Sequence, residues 1–289
     1  VFEQGKKMGK KFLGKRVQGR YEWVCAVVYA FMVVEHLRQA TGHALTRVDD
    51  VHVQLKHFGS GLTRIPFYEK QCMLGIFMRS CPAWVVADLA ALHYSMITVA
   101  LYETWPLDML VAAIHATQLS TIVVSDKTLY TVFKAAKDCP SLKTIIVHGE
   151  VEGSDRYRAK SLDLTLYTFP EIVAMGKEHP AEFSLPAQDD LARVCFKSGH
   201  SSNVRGVAYT HQALVAVAGG VFSGFPANLR PNSLDRHLSY LPLAHVYEHT
   251  LLVFCMMAGC SFGFFGGDTK KLRQDAMLAQ PTILSAHAP

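Results

Sequence analysis

The sequence predicts an α/β fold built on parallel sheet, and three observations lead there. From Cys72 onward short apolar runs alternate with amphipathic stretches at a regular pitch, the mark of right-handed βαβ units. Of the 289 residues 50% are hydrophobic and only 18% charged, enough apolar material for one large domain or two ordinary ones and the opposite of a disordered composition. The long apolar stretches are interrupted: Trp84–Tyr102 holds Asp88, His93 and Ser95, and Leu251–Phe265 is only about fifteen residues. A membrane helix needs about 20 nearly uninterrupted apolar residues, so both stretches read as core.

The elements follow in order. Residues 1–70 are the least regular part; Tyr21–Leu37 reads as a strand and then a helix, and Ala40–Arg64 shows no convincing period. Met73–Met78 is a strand, Pro82–Leu92 a helix opened by proline, Ile97–Leu101 a strand and Leu107–Thr117 a helix. A strand at Thr121–Val124, a helix at Lys127–Lys137 and a strand at Thr144–Val147 continue the alternation. Residues 150–189 are polar, with short elements near Leu162–Tyr167 and Pro170–Met175, and read as a surface excursion or a boundary between two α/β lobes. The rhythm resumes with strands at Leu191–Phe196 and Val207–Tyr209, a helix at Ala213–Val221, a strand at His237–Leu241 and a helix at His245–Met257. A strand at Ser261–Phe264, a helix at Leu272–Leu278 and a strand at Pro281–Ser285 complete the reading.

Charge and cysteine content exclude several classes. The net charge is +5, but residues 1–20 carry seven basic side chains against Glu3, a net of +6. That leaves 29 − 7 = 22 basic and 24 − 1 = 23 acidic residues elsewhere, a net of −1. The basic character is therefore an N-terminal tail, read as a solvated arm or as a weak attraction to anionic lipid, about 1 kcal/mol per Lys or Arg near a surface. No aromatic residues are interleaved on a basic stripe, so nucleic-acid binding is not expected. The seven cysteines, 25, 72, 81, 139, 195, 255 and 260, are odd in number, show no C-x-x-C spacing and sit mostly in apolar runs. They read as buried free thiols of a reducing, intracellular compartment. His36, His43, His52 and His57 lack ligand spacing and read as surface residues, with Asp49 and Asp50 a solvated turn. Met73, Met78, Met96, Met256, Met257 and Trp84 read as packing.

The segment that bears on chemistry is Cys195–Gly206. It is a small polar loop between two strand-like runs, with hydroxyls, one cation and glycines that expose backbone N–H groups, all of which suit a polyphosphate. Gly199 and Gly206 are wrongly spaced for a Walker A loop, and no Gly-Lys-Ser/Thr follows. An ordinary Ser/Gly surface turn is the alternative. Separately, His245-Val-Tyr-Glu-His249 matches the H-x-x-E-H zinc pattern, with two imidazoles at i and i+4 and Glu248 as base.

The loop resembles the Thr-Ser-Gly-Thr-Thr-Gly-x-Pro-Lys-Gly phosphate loop of the adenylate-forming superfamily at Ser198, Gly199, Ser201, Asn203, Arg205 and Gly206, with Thr210-His211 following. Ser239-Tyr-Leu-Pro-Leu-Ala-His245 with Glu248 is similar to the second core motif of the fatty-acid branch. Gly75-Ile-Phe-Met-Arg-Ser-Cys-Pro-Ala-Trp84, Tyr94-Ser-Met, Leu101–Thr104, Gly263–Asp268 and Gln280-Pro-Thr282 are similar to the rest of that branch, in order. On these residues the chain is identified as a member of the long-chain fatty acyl-CoA synthetases, with residues 1–20 a basic tail and 21–289 a partial AMP-binding domain.

The resemblance implies the large N-terminal domain of an adenylate-forming enzyme without its C-terminal part. It implies ATP, Mg²⁺ and CoA: a fatty carboxylate attacks the α-phosphate, and the CoA thiol then takes the acyl group. It places the nucleotide at Ser198, Gly199, His200, Ser201, Ser202, Arg205 and Gly206, and the edge of the substrate pocket at Tyr240 and His245, with Glu248 orienting His245 or facing solvent. A greasy substrate and a basic tail imply peripheral contact with a membrane. The loop departs from the family at Lys197, His200, Ser202 and Val204, and the main catalytic residues are expected beyond Pro289. The competing expectation is an inactive relative that binds a nucleotide or a partner.

Overall fold

The alternation that starts at Cys72 builds one seven-stranded sheet. The structure is a computed structural model that describes residues 14–17, 20–23, 48–197 and 204–286. Strand β3 (Met73–Phe77) lies at the centre, with β4 (Ile97–Ala100) on one side and β5 (Thr121–Ser125) on the other. Beyond β5 come β6 (Thr144–His148) and β7 (Thr165–Thr168); beyond β4 comes β8 (Leu191–Phe196). All of these pair in parallel, and only the edge strand β9 (Gly206–Thr210) runs antiparallel, giving the order β7-β6-β5-β3-β4-β8-β9. The central strands are buried along their length, as runs such as Ile122-Val-Val and Ile145-Ile-Val require of a sheet covered on both faces. Two short strands, β1 (Gly14–Val17) and β2 (Arg20–Trp23), pair antiparallel within and just after the basic tail.

The covering helices are α1 (Val48–Leu62), α2 (Pro82–His93), α3 (Leu107–Thr117), α4 (Asp126–Ala136), α5 (Gly153–Ser161) and α6 (Phe169–Glu178). Helix α2 is apolar on nearly every side, and each residue from Ala83 to His93 is buried. A helix of that kind belongs in the middle of a protein rather than on a face. Helix α4 begins in a capping box in which Ser125 and Thr128 satisfy each other's backbone donors, and Thr168 with Glu171 does the same for α6.

After β9, helix α7 (His211–Gly224) leads to a second sheet. Strand β10 (Arg236–Ser239), helix α8 (Val246–Ala258) and the parallel strand β11 (Ser261–Phe264) form a single βαβ unit, followed by α9 (Leu272–Ala279). Helix α8 is buried from Glu248 to Met256 and shares one core with α2 and the first sheet.

Four expectations change. Residues 150–189 are no break between lobes: they supply α5, β7 and α6, and the first sheet continues beyond them to β8 and β9. The change of sheet comes after β9 instead. Pro281–Ser285 forms only an isolated bridge, His237 to Ile283, because Pro281 has no N–H to donate and β10 meets it at one residue. Residues 48–62, read as aperiodic, are a helix whose core side is Leu55, Phe58 and Leu62. Its two histidines, His52 and His57, are half-buried rather than on the surface. His36, His43 and Cys25 lie outside the described residues.

The glycines of α1 hid it from sequence reading, and they have a packing reason. A Cβ on Gly61 would stand 2.0 Å from the Ile172 carbonyl oxygen of α6, and one on Gly176 would stand 1.8 Å from the His57 carbonyl oxygen. The two helix backbones approach so closely that only hydrogen fits. Gly176→Ala should cost about 1–3 kcal/mol or more in urea unfolding, because backbone cannot yield as a flexible side chain can. Gly220→Ala in α7, where a Cβ meets nothing within 4 Å, should instead gain up to about 1 kcal/mol.

Candidate functional site

Helix α8 begins at His245, the last residue of the loop from Ser239. The His245 ring nitrogen Nδ1 accepts the Tyr247 backbone N–H at 3.2 Å, capping the helix. The next turn carries two adjacent buried side chains that leave the helix in different directions. Glu248 accepts from His237 Nε2 of β10 at 3.0 Å, with Ser285 Oγ at 3.4 Å on its other oxygen. His249 reaches toward the first sheet, where its Nε2 meets Asp88 of α2 at 3.3 Å. Glu248 therefore neither orients His245 nor faces solvent, because its carboxylate is fully buried against His237.

Asp88 is shared. Its other oxygen pairs with the Arg193 guanidinium of β8, and Arg193 lies 5.0 Å over the Trp84 ring. Asp88 and Arg193 are wholly buried and His249 nearly so. Burial alone would raise the Asp88 carboxyl, but Arg193 and the His249 hydrogen bond outweigh it and hold Asp88 below its ordinary value. Burial, and then the Arg193 charge, push His249 down, so its imidazole is neutral at pH 7. The cluster carries one negative and one positive charge in a dry interior.

The phosphate-loop residues Ser198, Gly199, His200, Ser201, Ser202 and Asn203 lie outside the described residues. The base of that loop is a hairpin stem: Phe196 pairs with Gly206, and Lys197 N–H donates to the Arg205 carbonyl at 3.0 Å. Arg205 and Gly206 are exposed there. Beside the stem stands an aromatic wall, with Trp105 edge-on to Phe196 at 5.4 Å and Tyr102 at 5.4 Å from Trp105. Burial, then the neighbouring Cys195, push the Tyr102 hydroxyl up to about 12.

The loop before α8 is tied to both sheets. Tyr240 donates its hydroxyl to the Ser285 carbonyl. Ser80, in the turn after β3, accepts Leu243 N–H at 2.8 Å and donates to the Leu241 carbonyl at 3.3 Å. Next to it Arg79 donates to the Gly266 carbonyl at 3.4 Å. The carboxyl end of β3, where the chain leaves for β4 on one side while the neighbouring β5 leads to β6 on the other, thus carries the loop of Tyr240 and His245. In open α/β sheets that crevice is where ligands bind.

The zinc reading of H-x-x-E-H is overturned by this geometry. His245 caps a helix, Glu248 is held by His237, and His249 is held by Asp88. Among the described residues no three His, Cys, Asp or Glu side chains are placed to hold a metal ion. Trp84 is packing, as expected, and the six cysteines among the described residues are all free, four of them buried. Sequence reading missed the Asp88–Arg193–His249 cluster and the His237–Glu248 pair. The signal was present: Asp88 and Arg193 are lone charges inside apolar runs, a placement that requires a partner.

The match to known proteins spans nearly all of this architecture. Residues 41–286 match the model of the AMP-binding enzyme family. The chain belongs to that family. It is similar to long chain acyl-CoA synthetase 6, peroxisomal, of Arabidopsis thaliana, 31% identical over 231 residues, which is 79% of this chain and 32% of the relative. It is also similar to long-chain-fatty-acid–CoA ligase 1 of Cavia porcellus, 28% identical over 289 residues, 98% of this chain and 38% of the relative. The chain thus spans about a third of the length of these curated relatives. Among solved structures of family fold, the A domain of carboxylic acid reductase from Segniliparus rugosus, in complex with AMP, superposes with a TM-score of 0.71 at 18% identity, over 83% of this chain and 40% of that one. Coronafacic acid ligase from Pectobacterium brasiliense superposes with a TM-score of 0.74 at 14% identity, over 90% and 49%. The expected α/β fold of an adenylate-forming N-terminal domain is the observed one.

Two outcomes test the buried network. Asp88→Asn should cost about 3–5 kcal/mol in urea unfolding by leaving Arg193 charged and unpaired, whereas Asp88→Leu combined with Arg193→Met should recover most of that loss. His211, buried beside the same cluster, is held by burial at about 4 against an ordinary 6.5, with Asp190 and Asp88 opposing. The unfolded chain therefore takes up the proton first. Stability should be full above about pH 6.5 and drain by up to about 3 kcal/mol as pH falls toward 4, a slope that His211→Leu flattens.

Proposed function

We propose that this chain is the front part of an ATP-dependent ligase that activates long-chain fatty acids and passes them to CoA. The observation that carries the reading is that the stem of a polar Gly-bounded loop and the loop of Tyr240 and His245 both lie at the carboxyl end of the first sheet, one on β8 and the other bonded to the turn after β3. The names of the relatives, long-chain acyl-CoA synthetases and ligases, supply the substrate class.

The chemistry asks for charge neutralisation around a triphosphate while a carboxylate attacks its α-phosphorus and pyrophosphate leaves. In this reading backbone N–H groups and hydroxyls of Ser198, Gly199, His200, Ser201 and Ser202, with Gly206 at the stem, cradle the phosphates, and Arg205 supplies the fixed cation. Tyr240 and His245 line the pocket edge. Glu248 acts at one remove, fixing the first turn of α8 through His237. Mg²⁺ would add charge neutralisation at the phosphates when bound, and no role among the described residues depends on it. Contact with an anionic membrane through residues 1–20 belongs to the same proposal, and vesicle binding that survives deletion of those residues would argue against it. No helix among the described residues is long and apolar enough to cross a membrane.

The departures at Lys197, His200, Ser202 and Val204 favour a second reading, a relative that binds nucleotide without turnover. Equilibrium binding of ATP, followed by a test for pyrophosphate release with a long-chain fatty acid, separates the two. The ligase reading expects ATP binding by this chain that weakens about tenfold in Arg205→Ala, the scale of one lost charged hydrogen bond, and fatty-acid-dependent pyrophosphate release only when the chain is joined to a C-terminal part that carries the catalytic residues expected beyond Pro289. Binding without release in the joined protein favours the second reading, and absence of ATP binding contradicts both.

A further inference from the structure

The turn between β3 and α2 does more than join two elements. It reaches the loops that follow the two strands of the second sheet, and its side chains bond to backbone groups more than 160 residues further along the chain. Ser80 is 7% exposed, and its hydroxyl is saturated by a single segment, accepting from Leu243 N–H and donating to the Leu241 carbonyl. Those two backbone groups flank Pro242, in the middle of the loop whose ends are Tyr240 and His245. Leu243 and Ala244 of that loop are buried, so the Leu243 N–H has no ready exchange with water. The turn itself is fixed from below, because Thr128 of α4 donates its hydroxyl to the Phe77 carbonyl at 2.8 Å. Arg79 extends the contact to Gly266, after β11.

We propose that Ser80 is a positioning residue of the substrate pocket: its hydroxyl sets the height and angle of the Tyr240–His245 loop against the carboxyl end of β3. It touches no substrate in this account and acts only through the loop. The inference rests on the reading of that loop as the pocket edge. The physical basis is asymmetry in cost. A loop held only by apolar packing can slide, whereas a buried N–H that loses its acceptor is left without a substitute, so the loop has one preferred seat while the hydroxyl is present. Pocket groups displaced by even an ångström lose much of their effect on a bound reactant.

The test compares three variants of the full 289-residue chain: Ser80→Ala, Ser80→Thr, which keeps the hydroxyl, and Ile146→Val in β6, a remote core change that lowers stability modestly without touching the loop. Binding of a non-hydrolysable long-chain acyl-adenylate mimic and amide hydrogen exchange at residues 240–245 are measured on each. The expected result is about tenfold weaker binding and selectively faster exchange at residues 240–245 in Ser80→Ala, recovery of both in Ser80→Thr, and neither effect in Ile146→Val. Faster exchange in Ser80→Ala with unchanged binding overturns the positioning role and leaves a purely structural bond. Unchanged exchange overturns the clasp itself. Failure of the parent chain to bind the mimic contradicts the pocket reading, and the positioning role falls with it.

Discussion

Asp88 is a carboxylate with no access to water, and the fold answers it from two directions at once. Arg193 approaches along β8 of the first sheet, and His249 approaches from α8 of the second. One residue earlier on α8, Glu248 reaches back to His237 on β10. The first turns of a single helix are therefore tied to both sheets by buried charge-bearing contacts whose geometry tolerates little change. A buried pair of this kind contributes little net stability, since desolvation offsets most of the attraction. Its effect is on specificity: any arrangement that separates α8 from α2 leaves one oxygen of the buried Asp88 carboxylate without its His249 hydrogen bond in a dry interior.

That constraint explains why the apolar core is continuous from α1 through the first sheet to α8 and β11. Helix α2 sits between, apolar on nearly every side except at Asp88 and His93. Close backbone approach at Gly61 and Gly176 seals the far side of the first sheet, and Ser80 with Arg79 seals the near side against the loops of the second. The candidate site lies where these contacts converge. Its pocket loop is held on three sides: by Ser80 below, by α8 behind His245, and by Ser285 at the Tyr240 hydroxyl.

Much of this was legible in the sequence, and the failures have physical causes. Leu107–Thr117, Leu191–Phe196 and Ser261–Phe264 were read to the residue because their apolar periods and flanking breakers agree. Helix α1 was missed because Gly59 and Gly61 blur its apolar period, whereas Gly61 provides close packing against α6 and Gly59 makes room for the Tyr94 ring. Helix α5 was missed because only Ala159 in it is buried, so it has almost no apolar period to detect. The motif around Tyr240 and His245 was visible as a motif. The role of Glu248 was not, since its partner His237 lies across a sheet pairing that spacing along the chain does not reveal. The same holds for Asp88 and Arg193, 105 residues apart and joined only by the fold.

The central claim is that α8 and its buried contacts make the two sheets one cooperative unit. Native-state hydrogen exchange of the 289-residue chain, followed through increasing urea, tests it most directly. The account predicts that the amides of α8, β10 and β11 open with the same free energy and the same denaturant dependence as those of β3 to β6. Opening of the second sheet at clearly lower free energy, while the first stays protected, would contradict it.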